Sequence, residues 1–354
     1  MKALIAMSGG VDSSVAAKIM KEEGYECIGC TMKLHNNERE PMPGEKTCCS
    51  VSDVEDARRV AATLDMPYYV FNFQDDFKEK IIDKFVESYE KGRTPNPCID
   101  CNRYMKFDKL FERGKELGCD YIVTGHYVRV TEGPEGTFHL LKAVDDSKDQ
   151  SYVLYSMTQD QLKHAKFPLG GLKKTETRAL AEEGGFVNAD KPDSQDICFV
   201  PDGDYAAVIK KYSGKEEKPG NFVDTAGNVM GTHKGITHYT VGQRKGLGLA
   251  LKAPAYVQRI DVEKNEVILS SNEELFSKHL TASDFNWISG SAPKEEICCL
   301  GKIRYKHKEQ PCVVRALSEN RIELEFLEPQ RAITPGQSVV LYDGEEVLGG
   351  GIID

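Results

Sequence analysis

Two sets of residues in this chain have the types and spacing to do chemistry. The first is Ser8-Gly9-Gly10-Val11-Asp12-Ser13-Ser14, lying between a short apolar run and an amphipathic pattern. A helix N-terminus presents unpaired backbone N–H groups and the positive end of a dipole. Glycines let an anion approach that backbone and serine hydroxyls add donors, so the guest that fits is a phosphate or pyrophosphate. Ser and Asp also cap ordinary turns, but strand, glycine pair, acid and hydroxyls in one window point to a nucleotide. The second set is thiols. "RTPNPCIDCN" places Cys98 and Cys101 in what reads as a loop stiffened by Pro95 and Pro97, and "KPDSQDICFV" carries Cys198. A Cys-x-x-Cys is a redox pair or half of a metal site. Structural zinc would need a second close pair, and the adjacent Cys48-Cys49 suits tetrahedral geometry poorly. A lone cysteine before a phenylalanine, such as Cys198, is by itself ordinary apolar filler.

The elements that must position these groups follow from periodicity. Lys2–Met7, Cys27–Lys33, Tyr68–Phe71 and Tyr121–Thr124 read as short buried strands. Helical spacing occupies Ser13–Glu23, Asp53–Leu64, Phe77–Lys91 and Lys106–Leu117. The alternation predicts an α/β fold, a parallel sheet with helices on both faces. Ligands of such sheets sit at the carboxyl ends of the strands, where Ser8–Ser14, the Met32 region and Gly125-His126 would lie. After about Asp204 glycines recur and long helical periods vanish. "YVQRIDVEKNEVIL" reads as a hairpin turning at Lys264-Asn265, and "SVVLYDGEEVLGGGIID" as another turning at Asp343-Gly344. The expected organisation is therefore a catalytic domain over residues 1–204, a small β-rich connecting domain over 205–272 and a C-terminal β-barrel over 273–354.

Composition bounds the classes. At 354 residues there is chain enough for two or three cores. The apolar run in "MKALIAMS" is too short for a signal peptide and no stretch approaches a membrane span, so a cytoplasmic protein with no membrane partner is expected. Eleven irregularly spaced cysteines do not form a secreted disulfide pattern. The net charge of −10 resides almost wholly in the first 205 residues. Residues 206–250 hold seven Lys/Arg against three Asp/Glu, and "KIRYKHK" (Lys302–Lys308) is a second basic cluster enclosing a tyrosine. Local basic surface of this kind is what an RNA face requires, though solvated faces also carry such runs.

The first motif is neither a Walker A loop, since no lysine stands in or just after it, nor a Rossmann G-x-G-x-x-G. It resembles the Ser-Gly-Gly-x-Asp-Ser loop of the ATP pyrophosphatases, which split ATP between the α- and β-phosphates. Along nearly its whole length the chain is similar to the bacterial tRNA-specific 2-thiouridylases. "AMSGGVDSSVAA", "GCTMKL", "TPNPCIDCNRYMKF", "VTGHY", "KDQSYVLY", "SQDICFV", "HYTVGQRKGLG" and "PGQSVVLYDGEEVLGGG" come in that family's order. The resemblance implies a parallel-sheet, Rossmann-like ATP-pyrophosphatase domain that makes 2-thiouridine at the tRNA wobble position. It implies ATP held by Ala6, Met7, Ser8, Gly9, Gly10, Val11, Asp12 and Ser13 with Met32 and Gly125. It also implies a nucleophile at Cys101 and a persulfide carrier at Cys198, with Mg²⁺ beside the departing pyrophosphate. Asp12 would hold that metal or brace the loop. Sulfur would come from an upstream persulfide donor, a cysteine desulfurase or a sulfur carrier, and the relay would leave a Cys101–Cys198 disulfide.

For RNA, the resemblance implies a target-base pocket lined by Asn96, Pro97 and Cys98. The anticodon stem-loop of tRNA would meet His126, Lys148, Asp149, Gln150, Tyr305, Lys306 and Gln337. Lys148 and Lys306 suit phosphate contacts and Tyr305 a stacking or packing role. One departure stands out: some relatives carry an aspartate, proposed as an acid or base, where this chain has Cys98. Two rival readings remain. One is another ATP pyrophosphatase, an amidotransferase-type synthetase or a tRNA lysidine synthetase, which has no evident use for Cys101 and Cys198. The other is an iron–sulfur cluster on Cys98, Cys101 and Cys198.

Overall fold

The computed structural model describes residues 1–35, 51–193, 197–200 and 203–354; the Cys48-Cys49 pair lies outside the described residues. The first seven strands are β1 (Lys2–Ala6), β2 (Glu26–Lys33), β3 (Tyr68–Asn72), β4 (Tyr121–Val123), β5 (Val128–Glu132), β6 (Phe138–Lys142) and β7 (Ala165–Lys166). Five of them form one parallel sheet in the order β3-β2-β1-β4-β7. Side chains alternate across the pleat. Ala3 and Ile5 of β1 face α1 (Val11–Glu22) and α2 (Val51–Thr63), packing with Val15, Met20, Val60 and Ala61. Leu4 faces the other way, into a core with Ile28, Phe77, Ile81, Phe85 and Leu110. Strand order reverses on either side of β1, so the carboxyl end of β1 opens into the crevice where ligands of such sheets bind.

The four expected strands are present, and β7 adds a fifth at the edge. The helices differ more. The segment expected from Phe77 starts at Gln74 and runs to Glu90, with a π-type stretch at Lys78–Asp83. The segment expected from Lys106 begins nine residues earlier: Pro97–Asp100 is the first helical turn and Cys101–Lys109 continues it as wide π-type turns into Leu110–Glu116. The thiols are thus on a helix rather than in a loop. Proline is at home at the first helical position, where an N–H would be unsatisfied anyway, and Asn96 caps the turn by accepting from the Cys98 N–H at 3.2 Å.

The connecting domain is a four-stranded sheet in the order β10-β11-β8-β9, built from β8 (Gly220–Asp224), β9 (Val229–His233), β10 (Tyr256–Asp261) and β11 (Glu266–Ser270). The hairpin between β10 and β11 turns where expected, with Asn265 at φ +52°. The last six strands are β12 (Phe276–Trp287), β13 (Ile297–Lys302), β14 (Gln310–Ser318), β15 (Arg321–Arg331), β16 (Ser338–Asp343) and β17 (Glu346–Ile353). They close into an antiparallel barrel because β17 pairs back onto β12. Phe285, Trp287, Leu324, Phe326, Val339 and Leu341 fill it, and closure leaves no free edge within the ring. The β5–β6 hairpin leaves the parallel sheet and extends the barrel's sheet through Leu141 opposite Glu346 of β17.

The three domains meet at one point. Thr94, just before the thiol helix, donates its N–H to Pro335 O (2.9 Å) and accepts at its carbonyl from Gln337 Nε2 (2.8 Å), both in the barrel. Its hydroxyl lies 3.2 Å from that of Thr240 in the connecting domain. Arg304 of the barrel donates to Val241 O at 3.0 Å and to Thr334.

Candidate functional site

The turn between β1 and α1 is held from below and left open above. Met7 is anchored to β2 by Cys30 O at 2.7 Å and by the Thr31 hydroxyl, which donates to Met7 O. Gly9 adopts φ +76°, and a Cβ there would stand 2.3 Å from Asp53 O, so only glycine fits. Ser13 Oγ accepts from the Ser8 N–H (3.2 Å) and donates to Gly10 O (3.0 Å); Ser14 Oγ donates to the same carbonyl. The hydroxyls therefore brace the loop instead of standing as spare donors. The backbone amides of Gly9, Gly10, Val11, Asp12 and Ser13 make no hydrogen bond among the described residues. A run of open amides at a helix start is an anion site.

The carboxyl end of β4 passes against this turn. A Cβ on Gly125 would lie 2.7 Å from the Asp12 carbonyl carbon and 2.8 Å from Ser13 N, so glycine is required for the approach. Met32 is buried at the end of β2. Ala6, Met7, Ser8–Ser13, Met32 and Gly125 thus lie together at the carboxyl ends of the neighbouring strands β1, β2 and β4. The lysine missing from the loop arrives from elsewhere. Lys174 Nζ lies 2.6 Å from Asp12 Oδ1, which also accepts from the Tyr127 hydroxyl at 2.8 Å. Lys191 Nζ reaches Gly9 O at 3.1 Å while pairing with Asp53 and Asp56, and Asn188 Nδ2 reaches Gly9 O at 3.0 Å. No motif in the sequence marks Lys174, Asn188 or Lys191, because each acts across more than 160 residues of chain. Asp12 Oδ1 is the bracing atom; Oδ2 has no hydrogen bond among the described residues, which suits one carboxylate ligand of a phosphate-bound Mg²⁺.

The thiol helix is fastened on all sides. Asn102 Nδ2 donates to Val153 O at 2.9 Å, Arg103 forks onto Asp284 of the barrel, and Lys84 pairs with Asp100 at 2.6 Å. Burial pushes the Asp100 carboxyl up, against the pull of Lys84 and Arg103. Cys98 is exposed, while Cys101 and Cys198 are half-buried and border the same hydrophobic core. Phe199, next to Cys198, sets that edge by packing edge-on against Phe77 (5.7 Å) and Phe85 (5.2 Å). A cleft of about 200 Å³ lined by Asn96, Asp100, Arg103 and Asp284 lies beside the helix, and neither Cys98 nor Cys101 lines it. Among the described residues no group of three or more His, Cys, Asp or Glu side chains is placed to hold a metal ion.

The residues expected to meet RNA fall into two groups. Tyr305 and Lys306 are exposed on the barrel. Burial first, then the charges of Asp149 and Cys98, raise the Tyr305 phenol above its ordinary value. Its hydroxyl donates to Asp149 O at 3.2 Å. Lys302, from the same basic run, has its ammonium 5.8 Å and 5.9 Å from the Tyr152 and Tyr305 ring centres, and burial lowers its pKa. The others are engaged within the protein. Asp149 caps Ser151 and Ala143, Gln150 Oε1 accepts from Tyr127 N, Gln337 holds Thr94, and Lys148 pairs with Asp193 at 2.8 Å. His126 is buried between Lys106 Nζ (3.3 Å from Nε2) and Thr124 Oγ1 (2.7 Å from Nδ1). Burial, aided by Lys106, holds it neutral, so Nε2 accepts and Nδ1–H donates.

Residues 1–202 match the family described as tRNA methyl transferase HUP domain, residues 206–271 its PRC-barrel domain, and residues 277–353 the aminomethyltransferase beta-barrel domain. Among curated proteins, the chain is 50% identical over 353 residues to the tRNA-specific 2-thiouridylase of Lachnoclostridium phytofermentans, covering 99% of each chain. It is 52% identical over 354 residues to that of Acetivibrio thermocellus, again covering 99% of each. The relative from Clostridioides difficile is 49% identical over all of this chain and 98% of its own. With the phosphate-type loop, the thiol helix and the barrel all in place, the chain belongs to the tRNA-specific 2-thiouridylase family.

Proposed function

We propose that this protein replaces the 2-oxygen of the tRNA wobble uridine with sulfur at the expense of ATP. The observation that carries the reading is the run of open amides from Gly9 to Ser13 at the carboxyl end of β1, on the same domain as Cys101 and Cys198. Those amides suit the triphosphate, with Lys174 and Lys191 supplying the positive charge that a loop lysine gives elsewhere. Uracil O2 is a poor leaving group until it is adenylated, and the pyrophosphate that departs carries charge that oriented N–H groups stabilise. Mg²⁺ held at Asp12 would add Lewis-acid stabilisation of that charge.

Sulfur enters as a persulfide on Cys198, delivered by a donor protein. The Cys101 thiolate attacks Cys198 Sγ, forming the Cys101–Cys198 bond and releasing hydrosulfide. Hydrosulfide attacks C2 of the activated uracil, the C2–O bond to AMP breaks, and the remaining proton passes to solvent. An external thiol then reduces the disulfide. Tyr305 would pack against the anticodon strand and Lys302 would neutralise its phosphates.

The test is mass analysis of nucleosides from unmodified tRNA incubated with ATP, Mg²⁺ and a persulfide donor. Wild type and Cys98→Ala are expected to yield 2-thiouridine, and Cys101→Ser and Cys198→Ser none. ATP-independent product, or product in both serine variants, would contradict the reading; loss of all activity in Cys98→Ala together with loss of iron would favour the cluster.

A further inference from the structure

The carboxylate of Asp193 is paired with three cations. Its Oδ1 lies 2.7 Å from Lys174 Nζ and 3.4 Å from Arg178 Nη2, and its Oδ2 lies 2.8 Å from Lys148 Nζ. Lys174 is the ammonium that also grips Asp12 of the phosphate loop, with only 11% of its side chain exposed. Lys148 adjoins Asp149, whose carbonyl accepts at 3.2 Å from the hydroxyl of Tyr305 on the proposed RNA face. Asp193 itself stands five residues before Cys198. Burial alone would raise its pKa, but the hydrogen bonds from Lys148 and Lys174 outweigh that and hold the carboxyl below its ordinary value.

We infer that Asp193 is a positioning residue shared by both substrates: it occupies the cations that ATP and tRNA each need, and leaves them together. The inference rests on the functional reading above. With Asp193 in place, a triphosphate at the loop must compete for Lys174 and an RNA phosphate must compete for Lys148. With Asp193 withdrawn, both ammonium groups are available at once. Each ligand therefore binds the withdrawn state better, and the first to bind offsets the cost of withdrawal for the second. Two ligands that favour the same state bind cooperatively, and the coupling is reciprocal.

The experiment measures the affinity of unmodified tRNA with and without Mg²⁺ and an ATP analogue blocked between the α- and β-phosphates, at one fixed salt concentration. Wild type is expected to bind tRNA at least ~5-fold tighter with the analogue, within the usual range of coupling between sites. Asp193→Asn is expected to bind each ligand alone more tightly than wild type, with the coupling factor falling to about one. Asp193→Glu, which restores the charge, is expected to retain coupling. A merely structural role predicts weaker binding of both ligands in Asp193→Asn. That result, unchanged coupling in Asp193→Asn, or the absence of coupling in wild type would each overturn the inference. Failure of wild type to bind either tRNA or nucleotide would overturn the functional reading and the inference with it.

Discussion

His126 illustrates how a residue that sequence reasoning places at a surface is used inside. It follows the carboxyl end of β4, where exposed ligand contacts are expected, yet its ring packs near Phe107 and Phe167 and takes a hydrogen bond from Lys106. Its pKa lies well below 6.5 in the folded chain, from burial first and Lys106 second. Below the ordinary histidine pKa the unfolded chain binds a proton that folded His126 does not, so stability falls as pH drops from there toward the folded pKa. The slope from one such group is at most ~1.4 kcal/mol per pH unit. Urea midpoints measured from about pH 7.5 to about pH 5.5 are expected to fall less steeply in His126→Gln than in wild type; equal slopes would show that His126 is not held neutral. The same contrast describes the nucleotide crevice. Asp12 is legible as an acid inside a phosphate-type motif, whereas its partner Lys174 lies 162 residues away in an unremarkable helix start, and only folding brings them together.

At the scale of elements, the strand–turn–helix at β1 was readable because every local cue agreed: an apolar run, two glycines and an amphipathic repeat. The thiol helix was not. Pro95 and Pro97 read as loop stiffeners, but Pro97 occupies the first helical position and Asn96 caps it, so the same residues start a helix. The placing of β4 against α1 is equally specific. Gly125→Ala would put a methyl group 2.7 Å from backbone atoms that have no room to yield. Overpacking of this kind costs ~1–3 kcal/mol, and here it would displace the amides of Asp12 and Ser13. Wild type is expected to gain thermal stability when ATP and Mg²⁺ are added. Gly125→Ala is expected to melt earlier and gain little from nucleotide, and a nucleotide gain equal to wild type would mean that this approach does not shape the site.

Across the whole molecule, the change from alternating to β-rich texture marked the connecting domain and the barrel, and both hairpin turns read from sequence are present. The β5–β6 hairpin, drawn from the catalytic half, joins the barrel's sheet; no local pattern announces which sheet a hairpin will extend. That junction and the ties at Thr94 fasten the barrel to the domain that carries the thiol helix. Among the described residues no helix is long and apolar enough to cross a membrane. The central claim is a two-thiol relay on an ATP-activated base, with Cys198 and Cys101 bordering one core. Its most direct test is a single turnover of enzyme persulfidated at Cys198 with ATP, Mg²⁺ and tRNA, without reductant, followed by peptide mapping and nucleoside mass analysis on the same sample. The account predicts one Cys101–Cys198 bridge for each 2-thiouridine formed, which requires the two α-carbons to come within ~7 Å during turnover. A Cys98–Cys101 bridge in its place, or 2-thiouridine formed with no bridge at all, would contradict it.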